Sequence, residues 1–232
     1  MQKKVLAVAA VLALFVCGGA FAQEAEAPAA ESSGGGGKRP PMYIGVEMGY
    51  SSMDSFYDGH LGGFEAAPSF GIAPFSKLPD LALEFNLMMD FMKWETKTES
   101  DDPENEGKKI TTTQTLKGTV IAPQILAVYT FCEGPVRPFL GAGFGVNINS
   151  GEYSTTGFTA KLKMGASFGI VTKAGVVATI PNTKFDLLFL ARHNINISKK
   201  AEISAGGFTE KRENLRMNLS TISFVLGGRF NF

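Results

Sequence analysis

Residues 222–232 alternate with a period of two. Ile222, Phe224, Leu226, Phe230 and Phe232 are large and apolar, whereas Ser223, Gly227, Arg229 and Asn231 are small, polar or charged. Val225 is the apolar exception on the polar side, and Gly228 interrupts the apolar series. Successive side chains of a strand point to opposite faces, so this spacing specifies a β-strand with one greasy face. An aromatic face that runs to the last residue, Phe232, suits a strand that faces hydrocarbon and closes against another strand, as in a transmembrane barrel.

The same alternation recurs from residue 42 onward in eight segments, at about 42–51, 63–74, 81–94, 112–130, 137–149, 159–172, 183–197 and 216–232. In the third, Leu81, Leu83, Phe85, Leu87, Met89 and Phe91 share one side, against Ala82, Glu84, Asn86, Met88, Asp90 and Met92. In the seventh, Phe185, Leu187, Phe189, Ala191, Ile195 and Ile197 oppose Asp186, Leu188, Leu190, Arg192, Asn194 and Asn196. The apolar side stays almost free of charge for about ten residues per segment, the length with which a tilted strand crosses a bilayer. The other side is rich in glycine and small residues, as an eight-stranded barrel with little interior room requires. The expected fold is all-β, an eight-stranded antiparallel transmembrane β-barrel. A soluble sandwich or lipocalin also alternates, but a lipocalin-type barrel keeps its charges outside. The sole tryptophan, Trp94, lies in no early Gly-x-Trp motif.

Lys plus Arg equals Asp plus Glu, at 22 each, so nothing in the charge balance points to nucleic acid. Lys3 and Lys4, the apolar run 5–16 and Ala20-Phe21-Ala22 have the layout of a secretory signal, predicting a signal peptide over 1–22 cleaved after Ala22. Cys17 leaves lipidation as an alternative, although bulky Phe15-Val16 precede it. Residues 23–41, with Gly34–Gly37, read as a disordered linker, and 42–232 as the outer-membrane barrel. After cleavage Cys132 is the only cysteine, so no internal disulfide is expected.

Connections alternate in kind. Residues 74–80, 132–136 and 173–182 are turn-like and fall on the periplasmic side, the last being long for a turn, with 175–180 as an alternative extension of the neighbouring strands; 52–62, 95–111, 150–158 and 198–215 are polar and fall outside the cell. The second outer loop carries Glu95, Glu99, Asp101, Asp102, Glu104 and Glu106, and the fourth is rich in Lys and Arg. These loops are where an extracellular ligand would be met. Tyr50, Phe91 and Trp94 are placed near the outer boundary. Tyr129, Phe131, Phe185, Phe230 and Phe232 are placed near the inner one. Trp94 has inward parity and so marks a bulge or a loop base, while Pro68 and Pro123 demand a bulge or a non-donating position.

The inward face gathers Glu47, Glu65, Glu84, Asp90 and Asp186 with Arg137, Lys163, Arg192 and Arg229. Buried charges are costly unless paired, so these residues predict a salt-bridge network that plugs the lumen, with a gated polar path as the alternative. No catalytic, cofactor-binding or metal-ligating residue is expected, and no cofactor. The acids lack a nucleophile or histidine partner, and His60 and His193 are far apart. Gly141, Gly143 and Gly145 sit inside a strand rather than in a phosphate loop before a helix.

Arg137-Pro138-Phe139-Leu140-Gly141-Ala142-Gly143-Phe144-Gly145 resembles the P-[YF]-x-G-x-G-x-G strand of small outer-membrane barrels of the OmpA, OmpX and OmpW type. Gly228-Arg229-Phe230-Asn231-Phe232 resembles their closing strand. The resemblance spans about 42–232 and includes no periplasmic peptidoglycan-binding domain, a departure from full-length OmpA-like proteins. It implies outer-membrane lipid and the barrel-assembly machinery as partners, and roles in envelope integrity, adhesion or uptake of small apolar compounds. The expectation is a monomeric, non-enzymatic barrel with a structural or surface-interaction role and a plugged lumen. The alternatives are a narrow OmpW-like channel for small hydrophobic molecules and, more remotely, a soluble lipocalin-like carrier.

Overall fold

The computed structural model describes residues 42–54, 60–75, 78, 80–101, 108–156, 158–206 and 208–232. The signal-peptide and linker expectations for 1–41, and Asp102, Glu104 and Glu106, lie outside them. Ten strands follow one another: β1 (Met42–Asp54), β2 (His60–Ile72), β3 (Leu81–Asp101), β4 (Lys109–Thr130), β5 (Val136–Thr155), β6 (Phe158–Met164), β7 (Ser167–Thr179), β8 (Phe185–Ala205), β9 (Phe208–Asn218) and β10 (Thr221–Asn231). β6 and β7 are halves of one pass, as are β9 and β10, because β5 pairs with both of the first two and β8 with both of the second two. Eight passes result. Each pairs antiparallel with its neighbours, and β10 closes on β1 from Tyr43↔Asn231 to Met53↔Thr221. The amide of Phe232 donates to the carbonyl of Met42 at 3.1 Å, so the aromatic C-terminal strand does close the ring.

Burial is inverted relative to a water-soluble globule. Phe168, Leu226, Leu187 and Phe189 are exposed on the outside, while Glu65 and Arg192 are buried within the ring. Charged residues are seldom fully buried, and broad apolar surfaces are seldom left open to water. The outward residues include nearly every apolar position read from the alternation, among them Ile44, Val46, Met48, Phe85, Leu87, Phe91, Phe144 and Phe224. Around the end that holds Met42 and Phe232, the Tyr129 and Phe131 rings meet edge-on at 4.9 Å, and those of Phe185 and Phe230 lie 5.0 Å apart.

The strands outrun their apolar stripes at the opposite end. β3 and β4 stay in register from Leu81↔Tyr129 to Asp101↔Lys109, through Thr96, Thr98, Thr112 and Thr113, which carry no apolar mark but suit a strand. The connection expected at 173–182 is mostly strand, since β7 runs to Thr179. The rim at this end is stepped. β1 and β2 stop at Asp54 and His60, whereas β3 continues past its last β2 partner, Lys93, and among the described residues β9 pairs only with β8.

Neither proline makes a bulge. Pro68 pairs with Val46 on one side and faces a two-residue gap in the β2–β3 ladder on the other. Pro123 likewise faces a gap in the β4–β5 ladder. In both places a residue without an N–H stands where pairing lapses. Trp94 needs no bulge either: β3 runs straight through it, and its ring packs inward.

Candidate functional site: the closed lumen

Alternation puts Glu47 (β1), Glu65 (β2), Glu84 and Asp90 (β3), Lys173 (β7), Arg192 (β8) and Arg229 (β10) on the inner face. Small neighbours make the room. A Cβ on Gly71 would stand 2.0 Å from the Tyr43 ring, and one on Gly227 3.2 Å from Cγ of Glu47. Tyr43 and Glu47 therefore each lie over a glycine on the next strand.

The centre of the lumen is an ion-pair network. Lys173 Nζ donates to Glu84 Oε1 at 2.5 Å and to Glu47 Oε1 at 3.3 Å. The Arg192 guanidinium donates to Glu47 through one Nη and to Glu65 through the other. Ser223 Oγ donates to the second oxygen of Glu65, and Asn86 Nδ2 reaches both Glu47 and Glu84 at 3.5 Å. Glu47, Glu65, Glu84, Lys173 and Arg192 are all buried. The acids stand on β1, β2 and β3 and the cations on β7 and β8, which do not neighbour the acids' strands in the ring, so the pairs cross the lumen instead of lying along its wall.

Toward the termini, Tyr43 Oη donates to Glu84 Oε2 at 2.7 Å. Arg229 stacks 3.8 Å from the Tyr43 ring centroid, with its nitrogen 4.0 Å from Glu84. Arg137 meets Asp186 at 3.6 Å and donates to Thr179 Oγ1 at 2.8 Å, and Asn231 donates to Asp186 Oδ2 at 3.0 Å. Tyr43, Arg137, Asp186, Arg229 and Asn231 line a cavity of about 50 Å³ at that mouth. Beside them an apolar cluster of Leu126, Val128, Phe139, Val171, Val177, Leu188, Leu190 and Val225 fills the β4–β5–β7–β8–β10 side.

Toward the hairpin end the lumen has two characters. On the β5–β7–β8 side an amide ladder forms: Asn194 Nδ2 donates to Asn147 Oδ1 at 2.9 Å, and Asn196 Nδ2 to Asn149 Oδ1 at 2.7 Å. The other side is apolar, formed by Met53, Leu61, Ala67, Met88, Met92, Val120, Ala122 and Leu219, with Trp94, Leu116 and Met164 packed against them. Beyond the barrel body, charges pair within the β3–β4 hairpin, Lys93 with Glu95 at 2.7 Å and Lys109 with Glu99 at 3.4 Å. The hydrogen bond from Lys93 holds the exposed Glu95 carboxyl below the usual range.

Of the nine charged residues assigned to the lumen from the sequence, Glu47, Glu65, Glu84, Asp90, Asp186, Arg192 and Arg229 are buried there, and Arg137 is half-buried at the mouth. Lys163 is not; it is exposed on the outer face of β6. The chain bulges between Lys163 and Ser167, where two residues of β5 oppose three. That odd residue reverses parity, so Ala160, Leu162 and Met164 turn inward and Lys163 outward. The cation missing from the sequence-based set is Lys173. Its segment reads as a turn, although Val171, Lys173 and Val177 continue the inward parity of β7.

Among the described residues no group of three His, Cys, Asp or Glu is placed to hold a metal ion. His193 lies half-buried on β8 with Nε2 unbonded. The side chain of His60 is outside the description.

No protein-family model matches this sequence, and no curated protein matches it. Solved structures do match. Neisserial surface protein A is 19% identical, with a TM-score of 0.50 over 83% of this chain and 97% of its own. The outer membrane protein OprG of Pseudomonas aeruginosa is 12% identical, with a TM-score of 0.52 over 84% of this chain and 99% of its own. A major outer membrane protein of Thermus thermophilus is 15% identical, with a TM-score of 0.51 over 82% of this chain and 99% of its own. The chain has the fold of the small bacterial outer-membrane β-barrels. Each match covers nearly the whole of the other chain, so the resemblance is to a complete barrel rather than to a fragment of one.

Proposed function

We propose that this protein is an integral barrel of a bacterial outer membrane, monomeric and non-enzymatic, with a closed lumen and a structural or surface-interaction role. The carrying observation is the Glu84–Lys173–Glu47–Arg192–Glu65 chain of ion pairs, buried and strung between strands on opposite sides of the ring. Closing a pore this way leaves the four hairpins as the parts free to meet other molecules. The exposed apolar belt, edged at one end by aromatic clusters, supports lipid as the surrounding solvent. In this reading residues 1–22 direct export, the end with both termini faces the periplasm, and the Phe230-Asn231-Phe232 terminus is what the barrel-assembly machinery engages. Heat-modifiable migration in detergent gels and partition into detergent test the membrane assignment; a protein that stays in the aqueous phase defeats it.

A second reading, a narrow channel for small hydrophobic molecules, draws on one feature: the apolar inner wall around Met53, Leu61, Met92 and Leu219 beneath the stepped rim. Uptake of an apolar fluorophore into proteoliposomes, compared with empty liposomes, separates the two. Uptake above the empty-liposome rate favours the channel.

A further inference from the structure

Among the described residues, every carboxylate in the body of the lumen has a donor except one. Glu47 and Glu84 take Lys173, Glu47 and Glu65 take Arg192, and Asp186 takes Arg137 and Asn231. Asp90 is fully buried, yet among the described residues neither of its oxygens accepts a hydrogen bond. Ser51 Oγ and Thr221 Oγ1 are in the same condition. Both hydroxyls stand within interacting range of the Asp90 carboxyl, from β1 and β10, but neither reaches it with hydrogen-bond geometry.

Charge sharpens the point. Glu47, Glu65, Glu84 and Asp90 face Lys173, Arg192 and Arg229, four carboxylates against three cations. Arg192 is committed to Glu47 and Glu65. Glu65, directly across the β2–β3 ladder from Asp90, adds negative potential. Met88 and Met92 flank Asp90 on the same face of β3 and belong to the apolar cluster, so bulk water does not solvate it. A buried ionised group persists when it is paired or when it coordinates a metal.

We propose that Asp90, Ser51 and Thr221 form an internal binding site for one monovalent hard cation of the sodium class. The three side chains offer oxygen alone, the ligand set of hard cations, with no imidazole or thiolate to favour a transition metal. Ionised, Asp90 adds one negative charge with no ion-pair partner among the described residues, which matches a single positive one. Bound there, the ion would tie β1, β3 and β10 together beside the seam where the barrel closes, and so would act as a closure element of the fold.

The test is cation-dependent stability of the full barrel refolded in detergent. Urea unfolding is followed at pH 8 in sodium, potassium and N-methyl-D-glucamine chloride at equal ionic strength. A ligand that binds the folded state alone raises the midpoint as its concentration rises. The expected midpoint is higher in sodium than in N-methyl-D-glucamine, with the difference abolished in Asp90→Asn. Thr221→Val covers the case in which Asp90→Asn does not fold: it removes one ligand oxygen and should raise the sodium concentration for half-effect about tenfold. Equal midpoints in the three salts, or an undiminished sodium effect in Asp90→Asn or Thr221→Val, overturn the proposal. So does a stability that rises on acidification without cation selectivity, since Asp90 then holds a proton. The proposal rests on the closed lumen, and the two fail separately: a conducting barrel sinks the closure, whereas a silent barrel without a sodium effect sinks only the site.

Discussion

Lys173 on β7 and Glu84 on β3 meet across the lumen, Nζ to Oε1 at 2.5 Å, with neither side chain exposed. Three strand pairings separate them around the ring, so this contact spans the interior. Removing the cation leaves Glu84 buried with Tyr43, Asn86 and a distant Arg229 among the described residues. Lys173→Met should cost roughly 3–5 kcal/mol of unfolding free energy, the usual penalty for breaking one side of a buried pair. Lys173→Met with Glu84→Gln should recover much of that loss. Urea titration of the refolded barrel measures both, and a single-variant loss below about 1 kcal/mol would place the pair in water.

The two faces of β3 differ in what surrounds them. Leu87 points outward, and Asn86 points to Glu47 and Glu84. Leu87→Arg should cost roughly 2–4 kcal/mol in a bilayer, because it puts a charge in hydrocarbon. Asn86→Ala gives up two long hydrogen bonds and should cost about 1 kcal/mol. Equal losses in lipid vesicles would contradict the orientation of the strand.

Trp94 is the only tryptophan, so its fluorescence reports one place. Its ring packs inward against the cluster containing Met53 and Met92. Emission should be blue-shifted relative to the unfolded chain, and brominated acyl chains should scarcely quench it. Strong quenching by brominated lipid would put the ring on the outer face.

Arg229 lies over the Tyr43 ring at 3.8 Å and joins β10 to β1 near the seam. A desolvated stack of this kind contributes about 2 kcal/mol. Arg229→Leu should lose that amount, and Arg229→Lys should restore only part of it, because an ammonium lacks the planar face. Full rescue by lysine would mean that charge alone matters there.

The outward face was legible from the sequence because the apolar stripe states it directly: Leu87, Phe144, Phe224 and Leu226 are all exposed as the alternation required. The strand ends were not, since Thr96, Thr98 and Thr111 extend the ladder without an apolar mark. The lumen was read correctly wherever parity ran unbroken, as for Glu47, Glu84 and Arg192. It was misread at Lys163, where the bulge after Lys163 shifts parity by one residue. Lys173 escaped notice because it opens the 173–182 segment, read as turn-like; Gly175 within it makes room beside Leu190, where a Cβ would stand 2.6 Å from that of Leu190.

The closed lumen is tested most directly by the conductance of the purified wild-type barrel in planar bilayers at neutral pH. With Lys173 and Arg192 holding Glu47, Glu65 and Glu84 across the interior, the expected result is insertion without steady single-channel current. Sustained, ohmic channels from the folded wild-type protein would contradict the closure and favour a pore.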